Sequence, residues 1–128
     1  MAKIEVRSRL VGDETDHQMT TSGILTMGKI VYREPDIRMV LKFANNHIEL
    51  ERSHSDYTLK LSFENQHTCS GSYQIKEPML SMEAKTKTKA LQVEDGMIDI
   101  IYELILGGQS LGDYHYHLDY EVKEWKKN

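Results

Sequence analysis

The chain has 128 residues, enough for one hydrophobic core and not comfortably for two. With 39% hydrophobic and 28% charged residues it is neither disordered nor membrane-like, and no apolar run approaches the ~20 residues of a spanning helix. A net charge of −4 without an overall basic footprint speaks against a nucleic-acid partner. The single cysteine, Cys69, rules out a disulfide-stapled fold and suits a reducing compartment.

The N-terminal run M-A-K-I-E-V-R-S-R-L alternates charged and apolar residues and has no signal-peptide core, so a cytoplasmic location is expected and a membrane partner is not. Ile4, Val6, Ser8 and Leu10 oppose Lys3, Glu5, Arg7 and Arg9, the pattern of a strand with one buried face. Val11-Gly12-Asp13-Glu14 ends it. After Glu34-Pro35-Asp36, the set Ile37, Met39, Leu41 and Phe43 opposes Arg38 and Lys42. Asn45-Asn46 reads as a two-residue hairpin, since Asn tolerates positive φ. Ile48 and Leu50 follow, then Tyr57, Leu59, Leu61 and Phe63 against Thr58, Lys60, Ser62 and Glu64. Breaks at Glu64-Asn65-Gln66, Lys76-Glu77-Pro78, Glu94-Asp95-Gly96 and Gly107-Gly108-Gln109 keep the connectors short. Short connectors favour an antiparallel meander, because parallel pairing needs long crossovers. The fold class is therefore all-β: an antiparallel up-and-down barrel or a sandwich of about eight to ten strands, formed by residues 1–128 as one domain.

Lys85, Lys87 and Lys89 share one face at strand spacing. They suit a solvated strand that guards a sheet edge, and no aromatic platform is interleaved to suggest a nucleic-acid ladder. Cys69 sits in T-C-S-G-S with no adjacent base or cation, so it is read as structural or incidental.

The segments K-I-V-Y-R-E-P (29–35), H-I-E-L-E-R-S (47–53), M-E-A-K-T-K-T-K-A-L (82–91), G-M-I-D-I-I-Y-E-L (96–104) and Y-H-Y-H-L-D-Y-E (114–121), in that order, give the chain a whole-length resemblance to the YwiB-like family. These are small, uncharacterised bacterial proteins with a calycin-like β-barrel. The chain departs from them at Lys76-Glu77-Pro78-Met79, where a glycine turn is expected. The resemblance implies a barrel of about eight strands and brings no activity with it, because the family has no established one. That calycins often hold apolar ligands in the barrel mouth is analogy at the level of the fold.

Two groups of residues are candidates for chemistry. In a strand over 112–123, His115, His117, Asp119 and Glu121 share one face, and Tyr114, Tyr116, Leu118, Tyr120 and Val122 share the other. Bringing the apolar sets of this strand and of 97–106 together sets the histidines outward. An odd-numbered loop around Gln109 would put His115 beside Glu103, His117 beside Ile101 and Tyr116 beside Tyr102. His115, His117 and Glu103 then form a charge-paired outer face, or a three-ligand metal set, or an acid–base pair.

The second group faces inward. Tyr102 and Tyr116, with Tyr32, Tyr73, Tyr114 and Tyr120, bring phenols to the interior, where they either fill the barrel or line a cavity. Arg52 continues the register of Ile48 and Leu50. It either holds a carboxylate or phosphate at the mouth, or snorkels, or pairs with an acid such as Glu34. Thr86 and Thr88 share a face with Met82 and Ala84, and either offer hydroxyls to the interior or bond each other's strands.

No phosphate-binding loop, nucleophile elbow, zinc-protease or C-x-x-C motif is present, and no cofactor is implied. Three functions stay open: a module that binds a small amphipathic or anionic ligand through Arg52, Tyr32, Tyr102, Tyr116 and Thr86; an enzyme using His115, His117 and Glu103; and a filled barrel acting as a homodimer or protein-interaction module.

Overall fold

The computed structural model describes residues 1–125 as ten strands without a helix. They are β1 (Ala2–Val11), β2 (Asp16–Thr26), β3 (Lys29–Glu34), β4 (Ile37–Ala44), β5 (His47–His54), β6 (Tyr57–Glu64), β7 (Thr68–Ile75), β8 (Leu80–Glu94), β9 (Met97–Leu106) and β10 (Gln109–Trp125). Each pairs antiparallel with its sequence neighbour, and β10 closes on β1 to complete an up-and-down barrel. Closure leaves no free edge. The lysines of β8 therefore guard nothing: β8 is paired on both sides, with β7 and with β9. Lys85 and Lys89 meet Glu83 and Asp113 on the outer surface instead.

The alternation places its apolar sets inside. Ile4, Val6, Ile30, Leu41, Ile48, Phe63, Ile98, Ile100 and Leu118 are all fully or almost fully buried. Turn chemistry differs from expectation at one hairpin. Among the described residues the positive-φ positions outside glycine are Asp36 and Gln66, so Asn45-Asn46 turns without using the left-handed region. Lys76 to Met79 forms the β7–β8 turn, with Pro78 in place of the expected glycine.

Along part of its length the wall is irregular. Pairing of β6 with β7 covers only Tyr57–Lys60 against Ser72–Ile75. Beyond it β6 draws toward β8: the Thr86 hydroxyl donates to the Ser62 carbonyl, Gln66 N donates to Thr88 O (2.9 Å) and Thr88 N to His67 O (3.0 Å). Gly71 lies against this seam, and a Cβ there would overlap the Lys60 carbonyl oxygen. The Thr86 hydroxyl proton is thus committed to the backbone. Thr88, also buried, has a hydroxyl without a hydrogen-bond partner.

Candidate functional site

The odd-numbered strands, from β1 to β9, run toward one end of the barrel, and the β1–β2, β3–β4, β5–β6, β7–β8 and β9–β10 turns surround it. A cavity of about 400 Å³ opens at this end. Its apolar wall comes from Leu10, Met39, Leu50, Leu59, Leu61, Leu104 and Leu106, and its polar wall from Thr15, Arg52 and five tyrosines, Tyr57, Tyr73, Tyr102, Tyr114 and Tyr116. The volume lies within the range of small-molecule sites, about 300–1,000 Å³.

Arg52 stands opposite Met39 on β4 and Leu59 on β6, facing inward as the alternation required. Its Nε donates to the Tyr57 hydroxyl (3.0 Å), and its Nη2 lies 3.9 Å from Glu34 Oε2, beyond hydrogen-bond reach. The Glu34 side chain is only 6% exposed, with His17 Nε2 at 3.7 Å from the same oxygen. Glu34 continues the inward register of Ile30 and Tyr32 on β3, so a carboxylate and a guanidinium face each other near the mouth. His54 stacks on Tyr57 (5.2 Å between ring centroids), and Tyr57 packs on Tyr73 (5.6 Å), which fixes the rim around Arg52.

The floor is also phenolic. Tyr102 stacks on Tyr114 (5.7 Å) toward the mouth and meets Phe63 edge-on (4.8 Å) below. The Tyr116 and Tyr32 hydroxyls share a buried hydrogen bond of 2.7 Å. Burial pushes the Tyr32, Tyr102 and Tyr116 phenols up from their ordinary value, since a phenolate there would lose its hydration. They are neutral donors and acceptors at neutral pH.

Of the inward residues singled out from the sequence, Arg52, Tyr73, Tyr102, Tyr114 and Tyr116 line the cavity. Tyr32 sits behind its floor, bonded to Tyr116, and Thr86 is tied to Ser62. Tyr57, Leu59 and Thr15 were missed as contacts. For Tyr57 and Leu59 the signal was present, since their alternation places them inside on the strand after Arg52.

The outward histidines form a second cluster, with a different partner from the one expected. The β9–β10 turn is the two-residue Gly107-Gly108, both at positive φ (58° and 82°). Two residues alone would set the apolar faces out of step; a bulge between Ser110 and Gly112 restores them. The result places His115 opposite Ile101, His117 opposite Asp99, Tyr114 opposite Tyr102 and Tyr116 opposite Ile100. Glu103 lies opposite Asp113 and accepts from Ser110 Oγ (2.7 Å), so it takes no part in the histidine cluster.

Asp99 takes its place. Its Oδ2 is 2.7 Å from both His115 Nε2 and His117 Nδ1, and His117 Nε2 is 3.0 Å from Asp119 Oδ2. Partial burial works to raise the Asp99 pKa, but the hydrogen bonds from His117 and His115 outweigh it and hold the carboxyl low. The bond to Asp99, helped by Asp119 and opposed by partial burial, raises His117. Cys69, partly buried on β7, has its thiol pushed up by desolvation and then by Glu64, which suppresses the thiolate a nucleophile needs.

A closed antiparallel barrel with an apolar, phenol-lined cavity at one mouth belongs to the general class of small up-and-down barrels. The chain is a member of the family described as Domain of unknown function (DUF1934), whose profile matches residues 3–118. A search of the curated proteins finds no match. Among solved structures the chain is similar to the crystal structure of ywiB protein from Bacillus subtilis, with a TM-score of 0.60 and 14% identity over 94% of this chain and 90% of that one. At that identity the likeness extends to the fold.

Proposed function

We propose that this barrel binds a small amphipathic molecule with an anionic head, its apolar part in the open half of the barrel and its head on Arg52. The observation that carries this reading is the one-sided cavity of about 400 Å³, whose leucine and tyrosine wall ends on a guanidinium with, among the described residues, a single hydrogen bond, to Tyr57. A guanidinium has five N–H donors, and a carboxylate or phosphate takes two of them in fork geometry. Glu34, close by but out of hydrogen-bond reach, holds Arg52 at the mouth and leaves its donors for a ligand. Neutral phenols along the wall accept or donate to the ligand's polar substituents.

The outer surface supports an aqueous setting. Outward positions carry Arg7, Arg9, Glu49, Lys60, Lys85 and Glu121, the inverse of a membrane barrel's apolar exterior. The single free cysteine suits a reducing compartment, and a cytoplasmic location is part of this proposal.

The test is displacement of a fluorescent fatty acid from the wild type and from Arg52→Ala, with the neutral alcohol analogue as control. Saturable one-to-one binding in the micromolar range is expected, about −8 kcal/mol. Losing a charge-assisted bond of roughly 1.5–3 kcal/mol weakens the acid by about tenfold or more in Arg52→Ala and leaves the alcohol unchanged. No saturable binding of either compound, or equal loss of both, would overturn the reading.

A further inference from the structure

We propose that Asp99, His115 and His117 form a binding site for a divalent transition-metal ion on the outer surface of β9 and β10, on the opposite face of the wall from the mouth cavity and independent of its ligand. The three side chains each offer one donor atom, all within 4.8 Å of one another. His115 and His117 are two apart on one strand and point the same way, and Asp99 stands directly across from His117. The backbone ladder, rather than a loop, sets their spacing.

The donor set is chemically selective. Two imidazoles and one carboxylate suit zinc, copper or nickel better than calcium or magnesium, which prefer all-oxygen shells. The remote nitrogen of His117 faces Asp119 Oδ2 at 3.0 Å. A carboxylate on the far nitrogen is what orients a ligating histidine and holds the proton away from the metal-facing nitrogen. A tetrahedral zinc with bonds near 2.0–2.1 Å sets its donors about 3.3–3.4 Å apart. The 2.7 Å contacts to Asp99 must then open by roughly 0.6 Å, within reach of side-chain rotation at a surface.

Neighbouring cations do not block the site. Arg9 lies opposite His117 and Arg7 opposite Asp119 on β1. Each is engaged elsewhere: Arg9 forks onto Asp16 (3.1 and 3.0 Å) and Arg7 onto Glu5 (3.1 and 2.9 Å). On the other side β8 presents the neutral Gln92 opposite Asp99. Three protein ligands leave further coordination positions facing solvent, the arrangement of an open site and not of a closed structural one.

The experiment is calorimetric titration of the chelator-treated full chain with Zn²⁺, and in parallel with Co²⁺ read by its visible absorption. One saturable equivalent is expected, with the Co²⁺ spectrum of a low-coordinate nitrogen and oxygen site. His115→Gln, His117→Gln and Asp99→Asn should each weaken binding by about 100-fold or more, and Asp119→Asn by about tenfold, as outer partners do. His47→Gln and His67→Gln, elsewhere on the surface, should change nothing. In the wild type, which needs no variant to fold, Zn²⁺ should shift the imidazole proton resonances of His115 and His117 and spare those of the other four histidines. Absence of a saturable equivalent, the same affinity in all three ligand variants, or resonance shifts spread over all the histidines would overturn the proposal.

Discussion

Phe63, Ile48 and Leu118 on one side of the barrel's waist, and Leu59, Arg52 and Tyr114 on the other, hold the same inward register of the same three strands, β6, β5 and β10, yet they build opposite environments. At the first end the side chains meet: Ile30, Leu41, Ile48, Phe63, Ile98 and Leu118 have no exposed surface. At the second, leucines share the inward positions with long, polar-tipped residues, Arg52 and the tyrosines, around a cavity of about 400 Å³. The backbone contributes to the difference. Where β6 leaves β7 and draws toward β8 through Ser62, Gln66 and Thr88, the wall closes in over the packed half. At the mouth β6 keeps its ladder with β7 and the ring stays wide. Alternation thus decides which residues are inside, and side-chain size and wall width decide whether the inside is full.

The comparison breaks most sharply at Phe63. Phe63→Ala should cost about 3–5 kcal/mol in chemical denaturation, the loss of a ring with no room to collapse around it. Leu59→Ala, in the cavity wall, removes fewer packed contacts and should cost roughly 1 kcal/mol or less. Equal losses would show that the mouth is as tightly packed as the base.

The boundary between the halves is tested next, by the Tyr32–Tyr116 pair. Either Tyr→Phe change leaves a buried hydroxyl without its partner, at a cost of about 1–3 kcal/mol. The double change removes both hydroxyls and should cost less than the sum of the two, a coupling that a double-mutant cycle measures. Additive losses would mean that the bond contributes nothing specific.

A subtler effect appears at alkaline pH. Burial raises the folded-state pKa of Tyr32, Tyr102 and Tyr116 above the unfolded value of about 10. Their contribution to stability is full below about pH 10 and is lost as pH rises through the higher folded values. Phenolate absorbance should therefore show these three of the seven tyrosines ionising only with unfolding. Ionisation of all seven in one reversible step, with the fold intact, would place water throughout the barrel.

What was legible in the sequence was whatever a period of two decides. The inward and outward sets, the meander, the outward histidines and the inward Arg52 all follow from alternation between short turns, because successive side chains must point to opposite faces. Partners across strands did not follow. The two-residue Gly107-Gly108 turn together with the bulge after Ser110, in place of one odd-numbered loop, moved the histidines from Glu103 to Asp99 while keeping their face, since a net shift of two positions leaves the parity unchanged. Thr86 points inward as its parity requires, but its hydroxyl is held by a carbonyl of β6, a strand its own ladder never pairs with. The cavity lay furthest from the sequence. It depends on closing ten strands into a ring and on how far that ring narrows, and these are long-range distances that no local pattern encodes.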